Sequence, residues 1–169
     1  IYGALSAMAQ TDLKFIIGYS SVSHMGYVLM GIATLDPRGL TGAVYQMFSH
    51  GIMTALFFAL VGVVYDRSHS RDISVFQGLA KRMGITSAFF AVAGLTSLGL
   101  PGFSGFIAEL LVFIGLFKTY PIVGVLGVVG AAMTAVYILR LISRVFFGPL
   151  DPRWDKLTDC SRLEGVTML

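Results

Sequence analysis

Three titratable side chains, His24, His50 and Glu109, fall near the middle of three different apolar stretches. Holding an ionisable group at membrane depth costs about 3 kcal/mol or more, so such residues line polar paths inside helix bundles and do not face lipid. Histidine loads and unloads a proton near neutral pH, with an ordinary pKa of about 6.5. Glu109 is the only charged residue in 103–117, and a carboxyl so placed changes protonation when a neighbouring charge moves. The chemistry expected of the set is proton transfer.

The neighbours suit that chemistry. Ser20, Ser21 and Ser23 precede His24, and a hydroxyl both donates and accepts, so it can hold water or hand a proton on. The same serines could instead bond back to their own helix carbonyls. Gln46 lies four residues before His50, on the same helical face. Lys14 sits at the start of the first long stretch, where it could exchange protons with water or simply extend its ammonium to the interface. His69, between Arg67 and Arg71, reads as a solvated loop residue. Gly102-Phe103-Ser104-Gly105 matches the short nucleophile pattern of intramembrane serine proteases, with His50 as the imaginable base. Four residues are weak support, and Glu109 has no role in that reaction.

The elements that must position these groups are membrane helices. Hydrophobic residues make up 56% of the 169-residue chain and charged residues 12%, roughly half the usual charged share of a soluble domain, about 25%. The basic residues are not clustered beside aromatics, which excludes a nucleic-acid groove. Cys160 is the single cysteine, so no disulfide framework or thiol metal site can form within the chain. At about 20 apolar residues per crossing, four segments are expected: 14–35, 40–65, 84–118 and 121–147. Residues 1–9 read as the end of a preceding helix and 148–169 as a polar loop or tail leading to a further, missing one, so the chain reads as a fragment.

The segment 84–118 is too long. As one helix it would span about 52 Å, against a hydrocarbon core of about 30 Å. Gly99-Leu100-Pro101-Gly102 predicts a break at 99–102, because Pro101 lacks a donor and Gly99 and Gly102 release the backbone from helical geometry. Broken helices at membrane depth accompany ion sites in transporters. Gly124, Gly127 and Gly130 predict a small-residue face on the last helix against which a neighbour closes.

Loops alternate sides, and only Arg38 and Lys118 of the twelve lysines and arginines fall on one of them. The positive-inside rule therefore points the 66–82 loop and the tail toward cytoplasm, matrix or stroma. Counting helical rise from the segment ends puts His24, His50 and Glu109 each about 15 Å from a membrane face, near the midplane.

Thr11-Asp12-Leu13-Lys14, the run Tyr19 to Gly26, the run Gln46 to Gly51, and Gly99-Leu100-Pro101-Gly102 followed by Gly105 to Glu109 resemble, in that order, the antiporter-like subunits of respiratory complex I. The likeness is to the chain M or subunit 4 type, which carries glutamate where sister subunits and the large Mrp subunits carry lysine; Glu109 stands at that position. The resemblance implies an all-α polytopic transmembrane bundle, here the second five-helix inverted repeat, with its discontinuous helix at Gly99 to Gly102. It implies a proton relay of Lys14, His24, His50 and Glu109, in a membrane-arm subunit of a quinone oxidoreductase. It further implies a bacterial plasma membrane, thylakoid or mitochondrial inner membrane, with other membrane-arm subunits as partners. No flavin, iron–sulfur, haem or nucleotide motif is present. No redox centre is therefore expected in this chain; NAD(P)H or ferredoxin, FMN, Fe–S clusters and quinone would belong to partner subunits, and the enzyme activity to the assembly. An Mrp-type cation/proton antiporter subunit or a membrane-bound hydrogenase subunit shares most of these features.

Overall fold

The computed structural model describes residues 1–168, in which seven α-helices follow one another: α1 (Tyr2–Ala9), α2 (Leu13–Ala33), α3 (Pro37–Ser68), α4 (Gly84–Ser97), α5 (Ser104–Thr119), α6 (Pro121–Phe146) and α7 (Arg162–Thr167). Among the described residues there is no strand, only an isolated bridge between Asp12 and Asp72. α2, α3 and α6 are each long and apolar enough to cross a membrane. α4 and α5, with 14 and 16 residues, reach only about 21 and 24 Å. Together they replace one crossing with two packed halves.

The break is a turn with its own hydrogen bonds. Gly99 and Gly102 have φ of +61° and +105°, the left-handed region open to glycine at little cost. Gly99 N donates to Thr96 O, Leu100 N to Leu95 O and Phe103 N to Leu100 O, so little backbone is left unsatisfied. Leu100, Pro101 and Gly102 are exposed while Gly99 is partly covered, so the chain turns outward there and keeps one glycine inside.

α3 runs well past the expected 40–65. Asp36 caps its start by accepting from Arg38 N (3.0 Å), Pro37 occupies the first turn, and His69 ends it in a left-handed cap. The drop in hydropathy after Tyr65 does not end the helix. The last turn continues through polar residues, where Ser68 Oγ donates to Val64 O (2.7 Å).

One end of the bundle is tied together by polar contacts. Asp12 caps α2 and pairs with Arg71 at 3.3 Å, while Leu13 N donates to Arg71 O and Ile73 N to Thr11 O. The tail is more ordered than a polar loop. Trp154 donates to Val75 O, Arg82 pairs with Asp155, and Asp159 accepts from Ile85 N, Thr86 N and Thr86 Oγ1. Asp159 thereby caps α4, whose own preceding residue, Met83, supplies no side-chain cap. Arg67 at the end of α3 donates to Glu164 of α7 at 2.6 Å, and this pairing holds the Glu164 carboxyl down at about 2. A carboxyl whose folded pKa is depressed stabilises the fold above its ordinary range and loses that contribution as pH falls through the folded value. The thermal midpoint of Glu164→Gln is thus expected below that of the parent at neutral pH. The gap should close between about pH 5 and about pH 2 in a melting series. A gap independent of pH would remove the ion pair as its cause.

A close helix–helix approach also lies away from the face expected on α6. A Cβ on Gly42 would sit 2.6 Å from Val112 N, and one on Gly115 2.8 Å from Gly39 Cα, so α3 and α5 meet backbone to backbone. Gly124 and Gly127 instead receive the rings of Phe117 and Phe113. The α6 glycines accommodate aromatics, whereas the helix–helix seam is built on α3 and α5.

Candidate functional site

The four elements α2 to α5 bring a polar cluster into the centre of the bundle. His24 on α2 is 2% exposed, Gln46 on α3 3%, Ser97 at the end of α4 1%, and Glu109 on α5 8%. His24 Nε2 lies 3.0 Å from Ser97 Oγ and its Nδ1 lies 3.3 Å from Gln46 Nε2. Glu109 Oε1 stands 3.8 Å from the same Nδ1, too long for a direct hydrogen bond and close enough for an ion pair with a protonated ring. The imidazoles of His24 and His50 are 5.3 Å apart, tilted by 39°. His50 is less enclosed and finds Thr54 Oγ1 one turn along its own helix, 3.2 Å from Nε2.

The helix break shapes this cluster directly. A Cβ on Gly99 would meet Glu109 Oε2 at 2.6 Å, so only the bare α-carbon lets the carboxylate sit beneath the turn. Ser104, at the first position of α5, shares a 2.7 Å hydrogen bond with Ser49 of α3. That pairing places Ser104 Oγ against a hydroxyl and not against His50. Ser104 therefore makes no dyad with His50, which removes the geometric basis of the protease reading.

Other expected residues divide. Ser20 Oγ accepts from the hydroxyl of Tyr137 at 2.7 Å, one turn from His24. Ser23 is buried beside Tyr27 on the wall of a cleft of about 240 Å³. Ser21 bonds back to Ile17 O at 3.2 Å, the structural alternative for a membrane serine. Lys14 is exposed at the rim of α2, about 15 Å and about 80° around the helix from His24. It does not join the cluster.

Ser97, Ser49, Tyr27 and Tyr137 were not singled out from the sequence. Ser97 immediately precedes the break and Tyr27 follows His24 by three residues, a same-face spacing. Those spacings were the available signals. A second cleft, of about 280 Å³, lies between α3 and α4 and is lined in part by Ser49, Thr96 and Ser104. Neither this cleft nor the one beside Ser23 is lined by His24, His50, Gln46, Ser97 or Glu109. Among the described residues no group of three or more His, Cys, Asp or Glu side chains is arranged to hold a metal ion.

A helical membrane bundle with a discontinuous helix folded over a buried acid and two imidazoles defines an integral membrane protein built around an internal polar site. The chain belongs to the transmembrane family described as NADH:quinone oxidoreductase/Mrp antiporter, which matches residues 1–134. It is 49% identical over 156 residues to NAD(P)H-quinone oxidoreductase chain 4 1 of Synechococcus elongatus, covering 88% of this chain and 29% of that protein. It superposes with TM-score 0.91 and 29% identity on respiratory complex I from Thermus thermophilus, covering 99% of this chain and 37% of that one. The Mrp complex from Dietzia sp. DQ12-45-1b matches with TM-score 0.84 and 30% identity, over 90% of this chain and 29% of that one. The chain thus spans about a third of the length of its relatives.

Proposed function

We propose that this chain is part of a proton-translocating membrane-arm subunit of an NAD(P)H or ferredoxin:quinone oxidoreductase. The observation that carries this reading is the buried arrangement of His24 between Ser97 and Gln46, with Glu109 at 3.8 Å under the break in the α4–α5 crossing. A buried imidazole beside a buried acid can pass a proton between them, and surrounding hydroxyls and water can carry it further. Electrons stay with partner subunits, and charge rearrangement in those partners shifts the proton between Glu109 and the histidines. The basic loop ends tied to Asp12, Asp155 and Glu164 face the cytoplasm, matrix or stroma, and the Asp36–Lys118 pair, at 2.5 Å, faces the opposite compartment. Lys14 acts at most as an entry station at the first of these faces, reached through water.

Replacing His24 by Met keeps much of the volume and removes both ring nitrogens. In proteoliposomes carrying the assembled complex, His24→Met is expected to lower protons moved per quinone reduced by about 10²-fold, the lower end of general acid–base contributions. Normal stoichiometry in an assembled variant would end the relay reading. The likeness to an Mrp complex supports one other reading, cation/proton exchange. A requirement for sodium in the same vesicles, without dependence on quinone reduction, would favour it.

A further inference from the structure

Within the cluster, Gln46 carries a fully buried side-chain atom that has no hydrogen-bond partner among the described residues. Its side chain is buried, its Nε2 faces His24 Nδ1 at 3.3 Å, and its Oε1 has no partner. A buried amide oxygen left alone is costly, so a partner that comes and goes is a reason to keep one. In the observed orientation the amide donates to Nδ1, which must then present its lone pair, and the ring proton sits on Nε2, donated to Ser97 Oγ at 3.0 Å. Rotating the carboxamide half a turn about its last bond puts Oε1 where Nε2 was. The amide then accepts from Nδ1, and only a ring protonated at Nδ1 can supply that bond.

We infer that Gln46 is a positioning residue for His24, its two carboxamide orientations selecting which ring nitrogen carries the proton. The inference rests on the relay reading for its use and on geometry alone for its existence. A proton passed from Glu109 to Nδ1 makes the imidazolium. Loss of the other proton from Nε2 through Ser97 leaves the neutral ring protonated at Nδ1, one proton having crossed and no charge remaining on the ring. The ring must return to the Nε2–H form before the next transfer in the same direction, and the rotating amide holds each form in turn. Every element packed against His24 contributes a group to this account: Glu109 from α5, His50 from α3, Ser97 from α4 and Tyr27 from its own helix. Of these, Gln46 alone among the hydrogen-bonding neighbours offers Nδ1 both a donor and an acceptor without changing its own protonation state.

The test is the tautomer of His24, read by nitrogen-15 magic-angle-spinning NMR of histidine-labelled, assembled complex, with the His24 signals assigned by their loss in His24→Asn. The parent should show protonated Nε2 and unprotonated Nδ1. Gln46→Met, which offers neither donor nor acceptor, should give a mixture of the two tautomers. Gln46→Glu, which as a carboxylate only accepts, should move the proton to Nδ1. Two variants with opposite expected spectra keep the test decisive if one of them fails to assemble. An Nε2–H ring unchanged in either assembled variant would overturn the inference. Proton pumping measured on the same samples separates the two readings. Pumping lowered about 10-fold together with an altered tautomer supports both, whereas an altered tautomer with normal pumping leaves the assignment of Gln46 standing and overturns the relay.

Discussion

Replacing Glu109 by Gln is expected to depress quinone-coupled proton transport by roughly 10²-fold, within the range for removal of a positioned acid–base group, while the complex still assembles. The side chain is 8% exposed and fills the space left open by Gly99, so an amide of the same shape preserves the packing on both sides of the break. It also retains an oxygen toward His24 Nδ1, 3.8 Å away in the parent. What the amide cannot do is take up or release a proton at any pH the complex survives. A loss of function with intact packing would therefore report proton exchange at this position and nothing else. The measurement is protons released per quinone reduced in proteoliposomes, with assembly checked by native gel. Glu109→Asp restores the titrating group at shorter reach and should recover part of the activity. Unchanged pumping by Glu109→Gln in a complex shown to be assembled would take Glu109 out of the pathway.

That the three groups share a level along their helices was legible in the sequence, whereas their azimuth was not. Helical rise is fixed by the backbone, so counting from the segment ends placed His24, His50 and Glu109 in one layer, and the structure brings them into one cluster. The break was equally legible, because Pro101 and the flanking glycines act through local backbone chemistry. Which way each side chain points depends on tertiary packing. Ser20 and Ser23 turn inward and Ser21 turns back on its own helix, a difference that the run Ser20-Ser21-Val22-Ser23 does not announce. Lys14 looked like a station by its place in the motif, yet it is turned about 80° from His24 around the helix. Ser97 escaped notice because its partner lies 73 residues away. Hydropathy likewise falls before α3 stops, since backbone hydrogen bonds carry the helix on through polar residues.

Gly42→Leu is expected to be strongly disruptive although it touches no titrating group. Even a Cβ at this position would lie 2.6 Å from Val112 N and 2.9 Å from Ala108 O, and neither backbone atom can rotate aside. A leucine must push α5 off α3. Overpacking a filled interior costs typically about 1 to 3 kcal/mol when side chains can adjust, so a backbone obstacle puts the cost at about 3 kcal/mol or more. Ala108 directly precedes Glu109, so the displaced segment carries the acid with it. A misplacement of about 1 Å can cost about 10²-fold in a reaction that depends on alignment. The expected result is a lowered thermal midpoint together with a loss of pumping. Gly51→Leu is the matched control: nothing lies within 4 Å of a Cβ there and the residue is exposed on the outer face of the same helix, so it should assemble and pump normally. Equal behaviour of the two variants would mean that α5 is not seated on α3 at Gly42, and that the register holding Glu109 beneath the break is set elsewhere.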